Sequence, residues 1–181
     1  MKRRENLRLF CFAHNFSGFD SHLIVTALGK MQVLAEVDAV AQNTQKFKSL
    51  DIGSVRLLDS SAFLPSSLEK LVEDLVASNH SFPLLSKTHP DDAQRKLLLR
   101  KGVFPYDFVD SIERLTSTLE LPPRSSFFNK LSGEEVSEED YAHAEKVWEA
   151  FECKTMADFS DVYVRSDTIL LAEVFMNLRH K

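Results

Sequence analysis

Two stretches of this chain set chemically useful side chains at a spacing that a fold can exploit. His14-Asn15-Phe16-Ser17-Gly18-Phe19-Asp20 places an amide and a carboxylate five residues apart across a glycine turn. Near the other end, Tyr163 and Asp167 stand four residues apart, so on a helix a phenol and a carboxylate stack on one face and point at one place. A carboxylate at a strand-to-helix turn lies at the carboxyl edge of a sheet, where α/β proteins place ligands and metals. Asp20 is therefore the first functional candidate. Each group also has a plainer reading. Asp20 suits a helix cap that accepts backbone N–H bonds, and Tyr163 with Asp167 suits a core aromatic beside a helix-surface acid.

The same strings carry a resemblance. Asn15-Phe16-Ser17-Gly18-Phe19-Asp20 resembles the second exonuclease motif of family B DNA polymerases, Asn-x-x-x-Phe-Asp, and Tyr163-Val164-Arg165-Ser166-Asp167 resembles the third, Tyr-x-x-x-Asp. Between them, Lys101-Gly102-Val103-Phe104-Pro105-Tyr106-Asp107-Phe108 is similar to the linking segment of the protein-primed, virus and transposon-like members of that family. The three matches are in order and span nearly the whole chain. The resemblance implies an α/β fold, a truncated ribonuclease-H-like 3′–5′ exonuclease domain with a helix-rich C-terminal half, and descent from a proofreading DNA-directed DNA polymerase.

Site roles follow from that resemblance alone. Asp20 would help bind the second ion of a Mg2+ or Mn2+ pair, Asp167 would ligate the first, and Tyr163 would position the attacking water. Asn15 and Phe19 would hold the 3′ end of a single strand of DNA. The family's Ser-Leu-x-x-hydrophobic motif falls by position on Ser60-Ser61-Ala62-Phe63-Leu64, with Ser61 where Leu is expected, while Ser67-Leu68-Glu69-Lys70-Leu71 fits the written pattern seven residues later. Ser60 is preferred because a strand end faces the site. Lys101, from the Lys-x-x-hydrophobic motif, would steady the scissile phosphate; an exposed solubilising lysine is its plainer reading.

The chain also departs from the pattern. The first exonuclease motif, Asp-x-Glu, would lie upstream of Asn15, but none of the fourteen preceding residues is Asp and Glu5 is the sole acid among them. Two of the four expected metal carboxylates are thus missing, and the polymerase palm would begin beyond the last helix. The expectation is an exonuclease domain cut at both ends, its sheet gapped or locally repaired, and inactive alone. The alternative is a non-catalytic nucleic-acid- or protein-binding module derived from that domain. Expected partners are a single-stranded DNA 3′ end and the missing polymerase parts or a terminal protein.

Length and composition suit one domain over 1–181, which the resemblance implies is partial, organised as a sheet and helix part (1–77), linking loops (78–130) and a helical part (131–181). A 44% apolar content with 14 Phe and 5 Gly describes a globular chain. No run is long enough to span a bilayer. The basic opening Met1-Lys2-Arg3-Arg4 precedes no secretory apolar region, so an intracellular protein is expected. Cys11 and Cys153 have no metal-like spacing and read as reduced core thiols. A net charge of −5 argues against duplex binding through overall charge.

The elements that would position these groups follow from periodicity. Leu7 to Ala13 reads as a buried strand, and Leu23, Ile24, Ala27 and Leu28 as one face of a helix ending at Gly29. Edge strands are expected between Glu36 and Ile52, a turn at Gly53-Ser54, and a strand from Val55 to Ser60. Ser66 and Glu69 form a capping box for the next helix. Loop with one short basic helix, Asp91 to Lys101, follows. Two acidic helix starts, Ser132 to Glu135 and Ser137 to Asp140, precede a helix that buries Tyr141, Ala144, Val147, Trp148 and Phe151. The final helix, about Asp161 to Leu178, carries Tyr163 and Asp167.

Overall fold

Gly53 and Ser54 turn the chain between two strands, and Gly53 takes the positive φ of 57° that such a two-residue hairpin needs. This turn lies in a computed structural model that describes residues 8–16, 20–31, 36–43, 46–130 and 133–179. Expectations resting on Glu5, Leu7, the Ser17–Phe19 turn and Ser132 fall outside the described residues, and Phe19 is among them. The chain divides into two compact units, Met1–Ser67 and Leu68–Lys181.

The first unit is a four-stranded mixed sheet with one helix. Strand β1 (Leu9–Ala13) pairs in parallel with β4 (Val55–Asp59), β4 pairs antiparallel with β3 (Lys46–Ile52), and β3 antiparallel with β2 (Val37–Asn43), giving the order β1-β4-β3-β2. The ladder from Leu9↔Val55 to Ala13↔Asp59 is unbroken. Of a sheet expected to be gapped or locally repaired, these two strands show no gap: they bond each other directly. Asp51 and Arg56 face each other across β3 and β4 in a two-point ion pair, with Arg56 Nε 2.6 Å from Asp51 Oδ1.

Strand β1 departs from the expected buried strand. Among the described residues it has a strand neighbour on one side only, and Leu9, Phe10 and Phe12 are 61%, 51% and 42% exposed. An apolar run identifies a strand but not what covers it. Helix α1 (Asp20–Met31) runs on through Gly29, whose missing Cβ would meet nothing within 4 Å. Among the described residues, the buried apolar ones of this unit are Phe16, Leu50 and Leu64.

The second unit is helical: α2 (Leu68–Ala77), α3 (Pro83–Thr88), α4 (Asp92–Leu98), α5 (Ile112–Ser117), α6 (Glu138–Ala150) and α7 (Met156–Arg179). Helix α2 packs on α7, so it belongs here and not with the sheet. It begins at Leu68, which puts Ser67 rather than Ser66 at its flank. Asp91 caps α4 by accepting from Ala93 N and Gln94 N, and Ser137 caps α6 by accepting from Asp140 N. The stretch 133–136 forms a turn and a bridge, Asn129↔Glu134, in place of an earlier helix start.

Helix α7 starts five residues before the expected Asp161, because Thr155 and Asp158 cap it reciprocally. Thr155 Oγ1 accepts from Asp158 N at 3.3 Å, and Asp158 Oδ2 accepts from Thr155 N at 2.9 Å. Its inner face joins α6 in a core of Ala144, Val147, Cys153, Met156 and Phe159. Glu173 of α7 has no exposed surface and caps α3: its Oε1 accepts from Leu84 N and Leu85 N at 2.7 and 2.9 Å.

Candidate functional site

In the second unit, the α4–α5 connection brings Lys101 to Tyr106 against the Tyr163 turn of α7. Gly102 makes this approach possible, since a Cβ there would lie 3.0 Å from Tyr163 Cδ2. Phe104 is 5.5 Å from the Tyr163 ring by centroid and stacks on Phe159 at 6.3 Å, anchoring the segment to the core. Tyr106 Oη donates to Tyr163 Oη at 2.9 Å. Tyr106, 66% exposed, is the site residue the motif reading missed. Its signal was its place in the Lys101–Phe108 string, which spoke only for Lys101.

Burial and the Tyr106 hydrogen bond hold the Tyr163 phenol well above its ordinary pKa, with the charge of Asp167 adding to the rise. Burial also raises the Asp167 carboxyl, and the Lys101 ammonium opposes that rise. Sequence spacing put Tyr163 and Asp167 on one face; the fold adds Lys101 as their cationic neighbour. Lys101 Nζ is itself 3.5 Å from Glu69 Oε2 in a loose, exposed pair. The cluster therefore offers a neutral phenol whose proton remains to donate, an acid with raised proton affinity, and an exposed positive charge.

This cluster borders a groove of about 680 Å3 whose walls include Phe104, Tyr106, Phe127 and Phe128. Acids also line it. Asp107 accepts from Lys130 N at 2.9 Å with the Lys130 ammonium at 3.8 Å, and Asp140 is paired with Arg100 at 2.7 Å. A flat ligand with a π-face and one anionic group suits such a surface.

In the first unit, the carboxyl ends of the parallel strands β1 and β4 hold His14, Asn15 and Ser60. Asn15 is exposed and left-handed at φ 60°, a conformation that Asn tolerates. Asp20 is exposed as the first residue of α1. Ser60 does not face outward as expected. It is fully buried, its Oγ 2.9 Å from His14 Nδ1 and 3.2 Å from Ala13 O. The hydroxyl is consumed in tying the two strand ends together, so a contact from Ser60 to a DNA strand is not available in this arrangement. His14, which the motif reading passed over, completes that tie through Nε2, 2.8 Å from Ser66 O. Asp59 beside it accepts from Ser61 N at 2.9 Å and caps the turn after β4.

Among the described residues, no three His, Cys, Asp or Glu side chains converge. Asp167 has a phenol and an ammonium as its neighbours, and a cation there would meet the Lys101 charge. No described helix is long and apolar enough to cross a membrane. Compared with protein-family models, curated proteins and solved structures, the chain matches none.

Proposed function

We propose that this chain is exonuclease-domain sequence of a protein-primed family B DNA polymerase, that its second unit holds a single-stranded DNA end, and that it does not cleave DNA unaided. The observation that carries the reading is the meeting of Lys101-Gly102-Val103-Phe104 with the Tyr163–Asp167 turn of α7. Two strings noticed separately, far apart in the chain, pack into one cluster.

In this reading Lys101 neutralises one backbone phosphate, the Tyr163 hydroxyl donates to a phosphate oxygen, and exposed Tyr106 offers a ring for base stacking, worth about 1–3 kcal/mol per base. The acidic groove walls keep the interaction weak and salt-sensitive. The family's two-ion cleavage takes four carboxylates, of which the motif matches supply two, Asp20 and Asp167, too few to hold a pair of divalent ions.

The test is fluorescence anisotropy of a 3′-labelled single-stranded oligonucleotide across a salt series. Wild type should bind at low salt and prefer single strands to duplex. Lys101→Ala should weaken binding and lower the slope of log K against log salt by about 0.7, the loss of one single-strand phosphate contact. Tyr163→Phe should weaken binding without changing that slope. Binding that neither variant alters would overturn the proposal. Asp167-dependent trimming of the labelled end in Mg2+ or Mn2+ would overturn the claim of inactivity.

A further inference from the structure

A second cavity, of about 20 Å3, lies inside the helical unit between α4, α6 and α7, walled mainly by Leu97, Val103, Val147 and Val162. That is room for one water, which needs about 10–15 Å3 and at least two polar partners. His143, Ser166 and Arg100 bring polar groups to its lining.

His143 is 7% exposed, and its Nε2 is buried with no hydrogen-bond partner among the described residues. The Leu97 backbone works to raise the His143 pKa, as a carbonyl beside a ring N–H does, which favours the proton on Nδ1. Burial lowers the His143 pKa, and the Arg100 and Lys146 charges push the same way against Asp140 and the Leu97 bond. The neutral ring protonated at Nδ1 leaves Nε2 as a bare acceptor, and such an acceptor is costly to bury unpaired. Ser166, 8% exposed, donates its one proton to Tyr163 O at 2.8 Å and keeps lone pairs that can accept.

We infer that this cavity is a hydration site for a single buried water, which donates one O–H to His143 Nε2 and the other to Ser166 Oγ. The water joins α6 to the α7 turn that carries Tyr163, one hydrogen bond from the Tyr163 carbonyl. It satisfies the one buried side-chain atom left without a partner among the described residues, and it stands whether or not the groove binds DNA.

The test uses the full chain labelled with 15N histidine. The expected spectrum assigns His143 the Nδ1–H tautomer, with its Nε2 signal moved from the free lone-pair position by an accepted hydrogen bond, and a water-selective NOE reaches the ring protons. Thermal unfolding of His143→Phe, Ser166→Ala and the double variant provides the second arm. Both single variants should lower Tm, and the double should fall by less than the sum of the two, because the water is lost once. An Nε2–H tautomer, absence of the NOE, or a His143→Phe Tm at or above wild type would overturn the inference, since removing an unpaired acceptor from a dry cavity relieves a penalty.

Discussion

Replacing Glu173 should be among the most damaging single changes in the helical unit. The side chain is fully buried; Oε1 serves Leu84 N and Leu85 N at the start of α3, and Oε2 lies 3.1 Å from His80 Nε2. Glu173→Ala strands two backbone donors, and an unpaired buried donor costs about 1–3 kcal/mol. Leu85 is itself fully buried, so its N–H has no route to water. Adding the space left behind, the expected loss is about 3–5 kcal/mol, the range for breaking one side of a buried polar pair. Glu173→Gln keeps the shape and a carbonyl acceptor, and should cost less than half as much. Urea unfolding followed by Trp148, the only tryptophan and a residue of α6, reads this unit specifically. The midpoint should fall with the slope unchanged, and the Leu84 and Leu85 amides should lose hydrogen-exchange protection. An Ala variant within about 0.5 kcal/mol of wild type, the usual range for surface changes, would refute the capping argument.

Two further outcomes follow from the site and the core. Burial raises the Asp167 carboxyl, so between the unfolded value, about 3.9, and the higher folded value the native chain holds a proton that the unfolded chain has released. Its contribution to stability is therefore largest below that window and falls as pH rises through it. Wild type should lose stability relative to Asp167→Asn as pH rises above about 4, and parallel Tm curves would defeat the assignment. Cys153 is buried with its thiol pushed up to about 11, first by burial and then by Asp158, whereas Cys11 on β1 is half-buried. A thiol reagent at mildly alkaline pH should react with Cys11 in the native chain and with Cys153 only after denaturation; two rapid equivalents would contradict the packing.

Local chemistry made much of the skeleton readable. Gly53 marks the hairpin, Asp91 and Ser137 mark helix starts, and the spacing of Tyr163 and Asp167 puts both on one helix face. These are features of short windows, in which a cap or a turn residue acts on backbone groups within a few positions. The Thr155–Asp158 box is equally local, yet apolar periodicity alone starts α7 later. Helix α3 is different. Pro83 suits a first helical position, but the donors that follow it are satisfied by Glu173 from the far end of the chain, so nothing in the window itself favours helix over loop.

The site divides in the same way. The residue types of Lys101, Tyr163 and Asp167, and the i, i+4 geometry of the last two, belong to the sequence. That Lys101 lies near Asp167, that Gly102 must lack a side chain, and that Tyr106 bonds Tyr163 came only from tertiary packing. So did the burial of Ser60 and the exposure of β1. Helix and strand patterns state which face is apolar; which distant segment covers that face, or answers a buried polar atom, is decided when the whole chain competes for the same core.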